Sequence, residues 1–185
     1  MITLKDIKNN PEVKSFISVA ETQMRALGYT EHSFRHVNLV ARNAGNILEE
    51  LGCCQREIEL AKIAGYLHDI GNAVNRKDHA HTGAILAYNT LTKMGMDPDE
   101  AAQIMIAIGN HDENSGTAVS NISAALILAD KSDVHRSRVR NPNPGRYDIH
   151  DRVNYAVESS KLKVLKEDEI IELTLCIDTS HCPVM

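Results

Sequence analysis

Apolar residues recur at three- and four-residue intervals along most of the chain, with polar residues between them. This period is that of amphipathic α-helices. It predicts six helices, at about 11–28, 33–52, 55–71, 79–94, 97–110 and 121–135. No strand–helix alternation and no internal repeat interrupts the pattern, so we expect an all-α fold, a compact helical bundle.

Capping residues support these boundaries. Ser33 is suited to cap the second helix, and the Asp97-Pro98 pair opens the fifth. Either Asn121 or Ser123 is the expected cap of the sixth helix. These residue types satisfy the free N–H groups of a first helical turn, so each marks a helix start.

Two stretches depart from the helical pattern. Residues 136–152 hold two prolines and one glycine among five arginines, which predicts a long loop of the kind that often carries function. Residues 169–178 (EIIELTLCID) alternate as a strand does. A lone strand is unstable, so it must pair, for instance with a partner subunit in a homodimer, unless the chain ends inside a larger unit. We divide the chain into a domain over 1–160 and a C-terminal extension over 161–185.

Composition narrows the class of protein. The 185 residues fit one domain, and 20 Lys+Arg against 25 Asp+Glu give a net charge of −5, which argues against bulk nucleic-acid binding. The longest apolar run, Ala124–Ala129, is far shorter than the ~20 residues that span a bilayer. The N-terminus lacks the apolar region of a signal peptide. We therefore expect a cytoplasmic protein without a membrane partner.

Cysteine and histidine usage directs attention to metal chemistry. Four cysteines form no C-x-x-C pair, so they are expected to be reduced thiols rather than zinc ligands. Nine histidines accompany no Trp and only two Phe. We interpret His32, His135, His150 and His181 as ordinary core or surface histidines. The residues of metal-ligand type that remain are His36, His68, Asp69, His79, His81, His111 and Asp130.

Imidazole and carboxylate ligands together suit Fe, Mn, Zn, Co or Ni rather than Mg or Ca. His68 and Asp69 are adjacent, and Gly71 allows the last helical turn to open so that both side chains converge on one ion. Asp130 directly follows the apolar run AALILA, so its carboxylate must be paired or metal-bound.

The order His36…His68-Asp69…Asp130 resembles that of the HD superfamily of metal-dependent phosphohydrolases, which have an all-helical fold. Four blocks carry the resemblance over about residues 30–140: HDIGNA (68–73), HAHTGA (79–84), AIGNHDE (107–113) and ILADKSD (127–133). The layout is similar to that of the symmetrical dinucleoside tetraphosphatase family and of the HD domain of ribonuclease Y.

The further histidines refine what this resemblance implies. Relatives with histidines between the HD pair and the last aspartate hold two ions. For this chain we expect Fe or Mn, with Zn, Co or Ni as alternatives. His79 matches their H-x-x-x-G pattern and His111 their later histidine, with His81 as the substitute for His79. The implied ligands of one ion are His36, His68, Asp69 and Asp130. His79 and His111 would hold the other ion, with Asp69 bridging both.

The resemblance also implies a mechanism, in which a metal-activated hydroxide attacks phosphorus. Asp69 and Lys131 are the expected catalytic residues. Three arginines of the loop, Arg138, Arg140 and Arg146, are candidates to bind substrate phosphate, because guanidinium groups bind phosphate bidentately. Asn72 is a further candidate substrate-binding residue, and it stands where many relatives carry Lys.

Three functions follow from these observations. The leading hypothesis is a phosphohydrolase acting on a nucleotide-like substrate, with a symmetrical dinucleoside tetraphosphate as the specific candidate. The second is an RNA phosphodiesterase similar to ribonuclease Y. The third is a regulatory HD domain that binds a nucleotide or metal without turnover. Assays of nucleotides against short RNA distinguish the first two, and binding without turnover would indicate the third.

Overall fold

Eight α-helices and one two-stranded sheet are found in the computed structural model, which describes residues 1–113, 116–143 and 147–181. The helices are α1 (Leu4–Asn9), α2 (Pro11–Ala26), α3 (Phe34–Glu50), α4 (Gln55–Leu67), α5 (His79–Lys93), α6 (Pro98–Gly109), α7 (Asn121–Lys131) and α8 (Ile149–Ala156). The strands are β1 (Val157–Leu165) and β2 (Ile170–Ile177). The predicted all-α class, with a strand-like extension at the C-terminal end, is confirmed.

Helix ends agree with the predicted caps at two positions and differ at the third. The Ser33 hydroxyl accepts from the N–H of Arg35, and Asp97 caps α6. The cap of α7 is instead Ser120, whose hydroxyl accepts from the N–H of Ser123, so the expectation of Asn121 or Ser123 was wrong. Helix α7 also ends at Lys131 rather than near 135.

The predicted long loop contains regular structure. Arg136–Arg138 form a 3₁₀ turn, and α8 begins inside the stretch because the Asp148 side chain accepts from the N–H of Asp151. Residues 144–146, which include Arg146, lie outside the described part of the chain. The loop is therefore shorter than its proline and glycine content predicted.

The strand predicted over 169–178 corresponds to β2, and its partner is β1 of the same chain. The two run antiparallel, with Leu162 opposite Leu173 and Val164 opposite Ile171. Strand β1 was not predicted, because serines and lysines alternate with its few apolar residues. Leu162 and Val164 pack against the helical core, which attaches the hairpin to α3. Pairing within the chain therefore supplies the partner that the strand required.

The core places the helices that carry the predicted ligands side by side. Helix α3 packs on α4, and both contact α7. The approach of α3 to α4 is close because position 65 is glycine: a Cβ there would lie 2.8 Å from the Cα of Ala41. Among the described residues, no helix is both long and apolar enough to cross a membrane.

A second close approach fixes the turn after α4. Ile70–Ala73 form a 3₁₀ turn that lies against the start of α5. A Cβ at Gly71 would lie 2.0 Å from the carbonyl oxygen of His79 and 2.5 Å from the amide nitrogen of Gly83. Only glycine fits such a backbone contact, and the contact brings Asp69 beside the first turn of α5.

Candidate metal centre

The first cluster of predicted ligands comes from three helices. His36 lies on α3, His68 is the C-cap of α4, and Asp130 lies on the last turn of α7. Asp69 has left the helix, with φ −97° and ψ 2°, so its side chain converges with that of His68 as the sequence suggested. The imidazoles of His36 and His68 are fully buried or nearly so.

Four polar atoms of this cluster lie close together. The Nε2 atoms of His36 and His68 are 3.2 Å apart. Asp69 Oδ2 lies 3.5 and 3.3 Å from them, and Asp130 Oδ1 lies 3.4 and 3.6 Å from them. Neighbouring ligands about 2.0–2.2 Å from a common ion are about 2.8–3.6 Å from one another in tetrahedral or octahedral geometry. The Nε2 atoms of His36 and His68 together with Asp130 therefore fit one transition-metal ion, and Asp69 Oδ2 lies at a similar distance from both imidazoles.

A second cluster faces the other oxygen of Asp69. The Nε2 atoms of His79 and His111 are 3.2 Å apart, and Asp69 Oδ1 lies 3.6 Å from His79 Nε2. Asn72 orients this carboxylate, since its Nδ2 donates to Asp69 Oδ1 at 2.7 Å. His81, the alternative to His79, is exposed to solvent. The structure thus brings His79 and not His81 to the cluster.

All four histidines of the two clusters point Nε2 inward. The Nδ1 of each contacts an oxygen that can only accept, so Nδ1 carries a proton and Nε2 is the atom left to bind an ion. The acceptor is Asp133 Oδ2 for His36, at 2.7 Å, and Gly65 O for His68, at 2.9 Å. It is Arg76 O for His79, at 3.1 Å, and Ile108 O for His111, at 2.6 Å.

Two bare Nε2 atoms 3.2 Å apart repel each other unless a proton or a metal cation lies between them. Asp69 Oδ2 is buried and has no hydrogen-bond partner, which adds a further unsatisfied acceptor to the first cluster. Burying a carboxylate oxygen without a hydrogen-bond donor or a cation beside it costs free energy. The donor set therefore fits divalent metal ions.

Carboxylates make the first cluster strongly attractive to positive charge. Burial lowers the pKa of both His36 and His68, but the neighbouring aspartates outweigh burial and raise the pKa to about 9 and about 10. Burial dominates at His111, where it lowers the pKa to about 4. Burial raises the pKa of Asp69, but the charge of His68 outweighs it, so this pKa stays well below its usual range.

Asp133 is a central residue that was not predicted. Its Oδ2 accepts from His36 Nδ1 at 2.7 Å, and the two carboxylate oxygens accept from Arg35 at 3.1 and 2.8 Å. Arg138 Nε lies 3.6 Å away. Burial raises the pKa of Asp133, but the hydrogen bonds from His36 and Arg35 outweigh it and hold this pKa well below its usual range. Its position three residues after Asp130 was the available sequence signal.

A cavity of about 300 Å³ opens onto both clusters. Lys131 lines it, with Nζ 3.0 Å from Asp130 Oδ2. His32 also lines it, although it was interpreted as an ordinary histidine. Its Nδ1 contacts the carbonyl oxygen of Thr30 at 2.7 Å, its Nε2 lies 4.0 Å from Asp69 Oδ2, and burial lowers its pKa to about 3. The four-residue spacing to His36 was the signal for its position.

The arginines predicted to bind phosphate are placed differently from one another. Arg138 lines the cavity wall, but its guanidinium donates to the carbonyl oxygens of Asp133 and Glu31 at 2.7 and 3.1 Å. Arg140 pairs with Glu21 of α2 and does not line the cavity. Arg138 and Arg140 therefore do not meet at the site, because each guanidinium has a structural partner.

The chain is similar in sequence to known proteins. Residues 33–143 match the sequence profile of the HD domain. The chain is 29% identical to the uncharacterized protein MJ1020 of Methanocaldococcus jannaschii, over 92% of this chain and 74% of that protein. It is 37% identical to ribonuclease Y of Lawsonia intracellularis over 108 residues, which are 57% of this chain and only 18% of that enzyme.

One solved structure is similar to this chain in fold. A predicted HD superfamily hydrolase from an uncultured Thermotogales bacterium is similar with a TM-score of 0.52 and 25% identity. The likeness covers 72% of this chain and 75% of that chain.

Proposed function

Because this chain belongs to the HD domain family, we propose that it hydrolyses a phosphate ester or anhydride of a nucleotide-like substrate at a binuclear metal centre. Family membership and the hydrolase neighbour support the general activity, that of a metal-dependent phosphohydrolase. The observation that carries the two-ion proposal is the pair of facing Nε2 contacts, each 3.2 Å long, on either side of Asp69.

Each of the two clusters would hold one ion. His36, His68, Asp130 and Asp69 Oδ2 would hold the first ion, and His79, His111 and Asp69 Oδ1 the second. Fe or Mn are the ions we expect, and when bound they supply Lewis acidity and lower the pKa of a water to near 7. Asp69 would hold both ions at a fixed separation, while Lys131 brings positive charge to the cavity for the substrate.

The walls of the cavity favour a phosphate attached to an organic group. Ile149 and Val153 lie one turn apart on α8 and line the cavity. Both are exposed apolar residues, at 65% and 39%. Tyr29, which is 40% exposed, lines it as well. An apolar or aromatic moiety would cover these side chains while its phosphate lies at the metal clusters, which suits a nucleotide.

Metal content tests the second ion directly. We expect about two ions per chain in the protein purified without chelator, and about one in His79→Ala, because that variant loses a ligand of the second cluster only. His81→Ala is the matched control, since it removes an exposed histidine two residues away. Elemental analysis gives the ratio, and an unchanged ion count in His79→Ala would contradict the assignment.

Turnover by the metal-loaded protein tests the activity. We expect phosphate release from mononucleotides, in a panel that also contains dinucleoside tetraphosphates, and no cleavage of short single-stranded RNA. The match to ribonuclease Y is the observation that favours the alternative, so cleavage of RNA alone would support a phosphodiesterase. Tight nucleotide binding without turnover would support the regulatory function.

A further inference from the structure

Arg76 enters the cavity beside the second cluster and has no role in the ligand set. Its Nη1 lies 3.2 Å from His79 Nε2 and 3.5 Å from Asn72 Oδ1. Its guanidinium carbon lies 5.8 Å from the centroid of the Tyr29 ring, a cation–π contact. Within the described residues, no carboxylate lies within 4.0 Å of this guanidinium.

These contacts orient the guanidinium without neutralising it. In this respect Arg76 differs from Arg138, which donates to two carbonyl oxygens, and from Arg140, which pairs with Glu21. Arginine presents five N–H donors in a planar fork. The contacts to Asn72 and His79 both involve Nη1, so most donors of Arg76 stay available to a ligand in the cavity.

The contact to His79 also links Arg76 to the second ion. An ion bound by His79 takes the lone pair of Nε2, which is the acceptor that Arg76 now contacts. Arg76 would then lose this partner and keep those to Asn72 and Tyr29. Asn72 itself is neutral, so the positive charge at this contact comes from Arg76.

We propose that Arg76, oriented by Asn72 and Tyr29, binds the substrate's phosphate next to the second cluster and selects a terminal phosphoryl group over an internal phosphodiester. This inference rests on the proposed function. A terminal phosphoryl group has three non-bridging oxygens, whereas an internal diester has two. Two bound ions and the Arg76 guanidinium would together match three oxygens, and a diester would leave none for Arg76.

Paired substrates test the selection. We expect Arg76→Ala to lower kcat/KM for p-nitrophenyl phosphate about 10- to 100-fold, the effect of losing a charge-assisted hydrogen bond. The same variant should change kcat/KM for bis(p-nitrophenyl) phosphate less than about 3-fold, because the diester does not use Arg76. Arg76→Lys should recover part of the loss, since it restores the charge without the fork.

The control variant is Lys77→Ala, which removes the adjacent, exposed positive charge and should leave both substrates unaffected. Equal losses on both substrates, or no loss on either, would overturn the proposal. Elemental analysis must show the same ion content in Arg76→Ala as in the wild type, and loss of ions would assign Arg76 to the metal centre instead.

Equilibrium binding separates this inference from the proposed function. Calorimetric titration of the metal-loaded wild type with methyl phosphate and dimethyl phosphate requires no turnover. If neither nitrophenyl substrate is hydrolysed, the proposed function fails, but a selective loss of methyl phosphate binding in Arg76→Ala would still support the phosphate site. If the wild type hydrolyses phosphate esters and Arg76→Ala binds methyl phosphate equally well, only the inference fails.

Discussion

Replacement of Asp69 with asparagine is expected to abolish phosphate hydrolysis, with kcat at least about 1000-fold below wild type. The two carboxylate oxygens face different histidine clusters, so one substitution weakens both metal sites. Asparagine keeps the shape of the side chain but lacks the charge, and its amide nitrogen cannot ligate. We therefore expect most of the bound metal to be lost as well, measured as ions per chain alongside kcat.

The matched control is Asp78→Asn, which makes the same chemical change at an exposed residue. Asp78 has a positive φ of 60°, a conformation that asparagine tolerates, so this variant should keep wild-type activity and metal. Circular dichroism should show that both variants are folded. Retention of two ions and near-normal kcat in Asp69→Asn would contradict the shared role of this carboxylate.

Replacement of Asp133 with alanine is expected to lower the free energy of unfolding by about 3–5 kcal/mol in the metal-free protein. The buried carboxylate accepts from His36 and Arg35 and lies near Arg138, so its removal leaves Nδ1 of the fully buried His36 without an acceptor and takes a carboxylate from both arginines. Metal affinity of the first cluster should fall about 10- to 100-fold, because His36 loses the acceptor that fixes its tautomer and orientation.

Denaturant unfolding of metal-free protein measures the first effect, and competition with a calibrated chelator measures the second. Asp168→Ala, at an exposed position in the turn between the strands, is the control and should change the unfolding free energy by less than about 0.5 kcal/mol. An Asp133→Ala protein as stable as the control would show that the buried charges find other partners.

Asp133 also shows where prediction from the sequence stopped. Six of the eight helices in the described residues were predictable because apolar periodicity is local, and Ser33 and Asp97 were found as caps for the same reason. The predicted ligands lay in the order of the family's four blocks, and the structure brings six of them into two clusters. Asp133 stands inside one of those blocks, but its partner Arg35 is 98 residues away, and no local pattern encodes that contact.

The arginines show the same limit, because the local sequence does not reveal which arginine side chains already have partners. A loop rich in arginine predicted phosphate binding, yet Arg138 and Arg140 are occupied by Glu31, Asp133 and Glu21. Arg76 drew no attention in the sequence, although the packing of the 3₁₀ turn against α5 brings it into the cavity. Which cations are free depends on carboxylates and carbonyls from distant elements, so composition alone does not decide it.

By itself the sequence determined the helical fold and the family, because helix periodicity and the spacing of the HD blocks are written along the chain. Only the tertiary structure decided between His79 and His81, found the partner of β2 and showed which arginines are occupied. Each of these depends on distances between side chains from separate elements. Those distances are set by close packing, such as that of Gly71 against α5, which brings Asp69 between two pairs of histidines.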